Sequence, residues 1–276
     1  MYRFLRFPEW KYKAVTLSYD DGVIFDKKLI EILDKYGLKC TFNLNSELYA
    51  SKTGGRRLTK SEATALYKNS HHEVAIHGAK HFSLAEISTE AMLREIMTDR
   101  ENLERQFGRI IKGMAYANGS FSDEVVEVLK TCKIKYARTI ISTHAFDIPS
   151  DWLRLCPTCH HSDKDLYKLT DKFLTYNVSD NFWSNPPRLF YLWGHSFEFN
   201  DHNDWETIEN FAKKVGNRDD VWYCTNGEVY DYVKAFEKLE YSVNGETIYN
   251  GTDKDVYICY YGKNVLVKAG KVLKIK

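Results

Sequence analysis

Four short stretches of the chain combine residue types that metal or hydrolytic chemistry uses. Asp20-Asp21-Gly22 follows one apolar run and His77-Gly-Ala-Lys-His81 another, while Asn118-Gly119 and Gly194-His195 close two more. Adjacent carboxylates repel unless a positive charge holds them, so Asp20 and Asp21 read either as an Asp-Gly turn or as a cation-bound pair. In the second reading one carboxylate ligates the cation and the other stays free as a base. Two imidazoles four residues apart meet on one helix face or across a tight turn, where they can share a divalent ion. In a chain with nine histidines, His-x-x-x-His by itself is a weak signal. Joined by a strand-end aspartate it becomes two histidines and one carboxylate, a set that leaves positions open for water and substrate. Hydrolysis or oxygen activation is the chemistry of such a set.

These residues need a scaffold that brings distant strand ends together. Short β-branched runs at 14–19, 39–44, 73–76, 110–116, 136–140, 189–193 and 221–224 predict strands. Helical spacing covers 26–36, 59–68, 123–132, 166–176, 204–215 and 228–238, and Ser88 caps a longer helix to about 107. That alternation predicts an α/β fold over 1–240 with a mostly parallel sheet, open or closed into a barrel, of roughly seven strand–helix units. Over 241–276, Asn244-Gly245, Asn250-Gly251, Gly262 and Ala269-Gly270 punctuate short strands with no helix between them. A small antiparallel β appendage is the expectation there. In a parallel βα architecture chemistry gathers at the C-terminal strand ends, which is where all four stretches fall.

Composition removes other classes. Among 276 residues, 43% are hydrophobic and 14% aromatic, which excludes disorder. With 39 basic against 38 acidic residues the net charge is +1, too little to recruit nucleic acid. No stretch approaches the ~20 apolar residues that span a bilayer. Arg3, Arg6, Lys11 and Lys13 interrupt the first residues with no apolar run behind them. The expectation is a cytoplasmic, reducing setting with free thiols, an extracellular one staying open if a leader precedes this sequence.

The order Ser18-Tyr19-Asp20-Asp21-Gly22, His77-Gly-Ala-Lys-His81, Ala115-Tyr116-Ala117-Asn118-Gly119 and Leu192-Trp193-Gly194-His195 resembles the polysaccharide deacetylases of carbohydrate esterase family 4. The resemblance covers about 13–233 and implies a distorted (β/α) barrel. It implies Asp21, His77 and His81 as ligands of one divalent ion, zinc foremost, with cobalt, nickel, manganese or iron also suited. It further implies Asp20 as general base, His195 as general acid, and the backbone N–H of Asn118 as oxyanion donor. The stretch 147–161 is similar to the family's fourth region, implying Asp147 or Asp151 as the carboxylate behind the catalytic histidine. Tyr116, Trp152 and Trp193, beside the motif residues, are candidates for the substrate groove. One departure stands out: the third motif lacks the family's arginine and proline, and with them the arginine that orients the base. The implied activity is removal of acetyl groups from N- or O-acetylated sugars. Amide hydrolysis of a small molecule and carbohydrate binding without turnover are the alternatives, the last kept open by the missing arginine.

Other conspicuous residues read more blandly. Cys156-Pro-Thr-Cys159-His160 has the spacing of a haem-attachment or redox motif. It lacks a second cysteine pair and a helix directly after it, so an incidental loop pair is the expectation. His160-His161 reads as groove lining or structural, and His71-His72 as surface histidines flanking a helix end.

Overall fold

The computed structural model describes residues 3–176 and 185–275. Strand β1 (Arg3–Arg6) precedes a repeating series: β2 (Lys13–Asp20), α1 (Asp26–Lys35), β3 (Cys40–Leu44), α2 (Lys60–Tyr67), β4 (Glu73–Ile76), α3 (Thr89–Phe107), β5 (Gly113–Ala115), α4 (Asp123–Thr131) and β6 (Tyr136–Arg138). After a long connection come β7 (Cys159–His160), α5 (Leu166–Leu174), β8 (Arg188–Gly194), α6 (Ser196–Asp201), α7 (Trp205–Val215), β9 (Val221–Tyr223) and α8 (Asn226–Glu237). Five short strands follow: β10 (Glu240–Tyr241), β11 (Thr247–Tyr249), β12 (Val256–Tyr260), β13 (Lys263–Val267) and β14 (Val272–Lys274).

The parallel strands pair in the order β6-β5-β4-β3-β2-β8-β7, and β9 adds to the first residues of β2. Cys159 and His160 of β7 pair with Leu192 and Trp193 of β8. A little earlier in the chain, Leu155 bridges Arg138 at the end of β6. One short stretch therefore touches both flanks of the sheet and curls it into a distorted (β/α) barrel. The eight strands of this sheet exceed the seven expected by one. The addition is β7, whose two residues are too short for any hydrophobic period to mark.

Alternation along β2 explains how one strand serves both core and site. Val15, Leu17 and Tyr19 join the apolar layer formed with Leu29 and Leu33 of α1, Ile96 and Leu103 of α3, and Phe211 of α7. Burying each such side chain stabilises by about 1.5–3 kcal/mol, so the sheet–helix layer carries the fold's apolar stabilisation. Thr16, Ser18 and Asp20 face the other way, into a polar interior. There Asn226, at the start of α8, accepts from Thr16 Oγ1 (2.9 Å), donates to the Tyr191 hydroxyl (2.6 Å) and gives its backbone N–H to Thr41 Oγ1 (2.9 Å). This plug pairs Thr16, Thr41 and Tyr191 beneath the level of Asp20 and leaves the strand ends free for chemistry.

The antiparallel appendage is present and draws on both chain ends. β1 pairs with β12, which pairs with β13, while β10, β11 and β14 form a second small sheet. Ile248, Val256, Ile258 and Val267 pack there against Ala235 and Leu239. All six cysteines carry free thiols, Cys156 and Cys159 included. No helix among the described residues is long and apolar enough to cross a membrane.

Candidate metal centre and acid–base site

Asp20 is the last residue of β2 and only 2% exposed. A carboxylate so placed needs compensation, and four groups supply it. The Arg138 guanidinium, itself fully buried at the end of β6, ion-pairs with Asp20 Oδ2. Asn43 Nδ2 donates to Asp20 Oδ1 at 2.8 Å. His77 Nε2 and His195 Nε2 stand 3.7 and 3.8 Å from Asp20 Oδ2. Burial alone would raise this carboxyl, but the charge of Arg138 and the two imidazoles outweighs it and holds the group at about 2. The arginine absent from the third motif is thus matched by one a strand further along the barrel.

Asp21 follows with a left-handed backbone (φ 81°), and the chain turns away from the strand at once. Arg57 pins that turn: Nη1 donates to the Asp21 carbonyl at 2.7 Å, and Nη2 to Asp21 Oδ1 at 3.2 Å. His77 and His81 belong to a loop after β4 rather than to a helix, so they meet across a turn, ring centroids 4.8 Å apart. Two acids of α3 hold that loop. Asp99 accepts from the backbone N–H groups of Ser46 (2.8 Å) and His77 (3.0 Å), and Glu95 from that of Lys80 (2.7 Å).

Asp21, His77 and His81 each present a ligand atom, all within 4.8 Å of one another. Whether the set suits a cation turns on the proton of His77. Its Nδ1 lies 2.8 Å from the Ala115 carbonyl, which can only accept, so the proton sits on Nδ1. Nε2 is left with a bare lone pair, buried and without a hydrogen-bond partner among the described residues. Burial also lowers the pKa of His77 and favours its neutral, ligating form. A buried acceptor without a donor, facing a carboxylate and a second imidazole, fits a divalent ion.

His195 ends the run after β8 and opens α6. Its Nδ1 lies 3.5 Å from Glu198 Oε2, in ion-pair range though longer than a hydrogen bond. Burial would lower the pKa of His195, but Glu198 and Asp20 together raise it. The carboxylate behind the histidine is therefore Glu198, one helical turn along, and neither Asp147 nor Asp151. Asp151 instead caps a short turn, accepting from the N–H of Leu153 (3.0 Å) and Arg154 (3.2 Å), and both aspartates line a separate cavity with Cys156 and Tyr191.

The aromatic candidates are also corrected. Tyr116, Trp152 and Trp193 are 1%, 5% and 8% exposed and offer no open face to a sugar. Trp193 lies under the Arg138 guanidinium at 4.3 Å, Trp152 packs edge-on to Tyr230, and the Tyr116 hydroxyl donates to the Leu153 carbonyl. Large apolar side chains exposed near the strand ends are Phe82, next to His81, and Ile140, packed against Gly119. Asn118 occupies the turn after β5 with φ 55°, tied to the His81 loop through Ser83 at 3.0 Å.

Sequence reading missed Arg138, Arg57, Glu95, Asp99 and Glu198. A signal existed for three of them: Glu95 and Asp99 fall in the apolar stripe of α3 with Met92, Ile96 and Leu103, where a charge needs a partner. Glu198 stands three residues after His195, the spacing of a helical neighbour. Nothing local marks Arg138 or Arg57.

Comparison with known proteins adds three likenesses and one family. A polysaccharide deacetylase of Bacillus cereus matches at 22% identity and TM-score 0.43 over 50% of this chain, which spans 44% of that one. A Mycobacterium smegmatis protein assigned to the polysaccharide deacetylases matches at 15% identity and TM-score 0.60, covering 84% of this chain and 94% of that chain. A CE4 family pseudoenzyme from Bacillus anthracis matches at 16% identity and TM-score 0.50, covering 83% and 68%. At such identities a solved structure speaks for the fold alone. No protein with a curated description matches. The family model for polysaccharide deacetylase matches residues 9–137, a stretch that holds Asp20, Asp21, His77, His81 and Asn118 and stops one residue short of Arg138. Over those residues the chain is similar to the polysaccharide deacetylases, and its fold resembles that of the Mycobacterium smegmatis protein.

Proposed function

We propose that this protein is a metal-dependent hydrolase that removes acetyl groups from N- or O-acetylated sugars. The observation that carries the reading is the bare, buried Nε2 of His77 facing Asp21 and His81. Those three side chains would hold one divalent ion, zinc foremost. Such an ion polarises an acyl carbonyl and makes water a nucleophile near neutral pH.

The remaining residues divide the proton work. Asp20 lies between the ligand set and His195, within 3.7 and 3.8 Å of their imidazoles, and can take the proton of the attacking water. Arg138 keeps that carboxylate ionised at neutral pH and fixes its direction. The N–H of Asn118 is offered to the developing oxyanion, a contact typically worth about 3 kcal/mol. His195, with its proton favoured by Glu198, gives it to the departing amine or alkoxide. Binding without turnover would need neither the base nor the acid, which favours an active enzyme over the pseudoenzyme alternative.

Acetate release from acetylated oligosaccharides, measured with chelator and after adding zinc back, tests the reading. Release that chelation stops and zinc restores supports it. Release only from small acetylated amides moves the assignment to small-molecule hydrolysis. An inert protein with one bound zinc per chain overturns the catalytic reading.

A further inference from the structure

Two histidines outside the proposed machinery converge on the carboxylate behind His195. Glu198 Oε2 lies 3.1 Å from His161 Nε2, 3.2 Å from His160 Nε2 and 3.5 Å from His195 Nδ1. The backbone N–H of His195 donates to the same oxygen at 3.3 Å. His160, His161 and Glu198 are close enough to share a cation, but the ring protons favour direct N–H contacts with the carboxylate instead. The Ser162 backbone N–H donates to His160 Nδ1 at 3.2 Å and occupies its lone pair. With Nδ1 taken as an acceptor, the ring proton sits on Nε2, 3.2 Å from Glu198 Oε2. Burial lowers His161 to about 4, so that ring is neutral at pH 7. Beside an ionised carboxylate oxygen 3.1 Å away, its Nε2 is the nitrogen that carries the ring proton.

The fold is shaped to seat this pair. A Cβ at residue 194 would come within 2.0 Å of His161 Nδ1, so the bare backbone of Gly194 is what admits the ring. Phe199 and Tyr19 flank it at centroid distances of 4.1 and 5.8 Å, and Trp193 meets the His160 ring edge-on at 4.5 Å. The donors of both histidines push Glu198 far below the usual carboxylate range against the effect of its burial.

We propose that His160 and His161 are positioning residues that clamp Glu198, ionised, behind Nδ1 of His195 and so set how firmly His195 holds its proton. The proposal rests on His195 as the acid of the reading above. Other charged or titratable groups around His195 are Asp20 and Asp21 of the β2 end, Arg138 paired to Asp20, and Arg56, whose guanidinium stacks on Phe197 against the His195 ring. Of these, Asp20 faces the opposite nitrogen, Nε2. Glu198 is a quarter exposed, and without the two imidazole donors its remaining tie is the His195 N–H.

The test is an NMR titration of the His195 ring in the zinc-loaded protein, assigned with His195→Gln. His160→Phe and His161→Phe keep ring volume and lose the donor, whereas the Gln variants return an N–H. Each Phe variant is expected to lower the His195 midpoint, and the double variant to lower it by about one unit, tenfold in proton affinity. Glu198→Gln should produce the full shift and abolish any further effect of the Phe substitutions. The alkaline limb of kcat/KM should move to lower pH in step, with zinc content unchanged and the Gln variants restored. An unmoved midpoint in the double Phe variant overturns the proposal, and so does a second zinc equivalent lost with either histidine. Because the titration needs no turnover, an inert wild-type protein would defeat the deacetylase reading while this one is judged on its own readout.

Discussion

Arg138 at the end of β6 reaches the mouth of the barrel and ion-pairs with Asp20 at the end of β2, both side chains buried. The pair joins residues 118 positions apart and supplies the carboxylate with the cation its own motif lacks. Its guanidinium also rests on Trp193, so one side chain links the proposed base to the wall beneath the acid.

Breaking this pair leaves a charge stranded. Arg138→Met is expected to destabilise the fold by roughly 3–5 kcal/mol, as loss of one partner of a buried ion pair does. Adding Asp20→Asn should recover part of that loss. Urea unfolding of the single and double variants measures both, and additive losses would show that the two residues do not act as a pair.

Ligand and base variants should separate. Asp21→Ala, His77→Ala and His81→Ala are each expected to abolish zinc binding and activity together. Asp20→Asn should keep the zinc and lower turnover by about 10²–10⁴, the usual contribution of a general base. Elemental analysis beside acetate release distinguishes the two classes, and a near wild-type rate for Asp20→Asn would refute the base assignment.

Asp26 gives a pH signature of stability. It accepts from the Tyr67 hydroxyl at 2.6 Å and from Ser196, tying α1 to α2 and to the start of α6. Burial raises its carboxyl to about 7 from an ordinary 3.8. The native state therefore binds the proton more tightly than the unfolded chain. The associated stability is fully present below about 4 and is lost as pH rises through 7, with a magnitude on the order of 4 kcal/mol at most. Denaturation curves between pH 4 and 8 should show a fall in wild type that Asp26→Asn flattens.

The aspartates of the 147–161 stretch should prove structural. Asp147→Asn and Asp151→Asn are expected to leave the alkaline limb of the pH–rate profile in place, in contrast to Glu198→Gln. Asp151→Ala should cost about 1 kcal/mol through loss of its cap on Leu153 and Arg154. A shifted limb for either Asn variant would return the supporting role to that stretch.

Much of the barrel was legible because its signals are local. The strand and helix positions follow from periodicity, and Asp20, Asp21, His77, His81 and His195 stand out because each ends or closely follows an apolar run, where a parallel fold gathers chemistry. Only the tertiary structure decided what surrounds them. Strand β7 is too short to leave a period, yet it brings His160 and His161 beside Glu198. Arg138, Arg57, Asp99 and Glu95 reach the site from elements far away in the chain, through ion pairs and hydrogen bonds that no local pattern encodes. Tyr116, Trp152 and Trp193 sit beside motif residues in the chain and are nonetheless buried, because neighbouring positions on a strand or turn face opposite sides. Sequence order sets which groups arrive at the strand ends. The closure of the barrel sets which partners meet them, and therefore the charge each one carries.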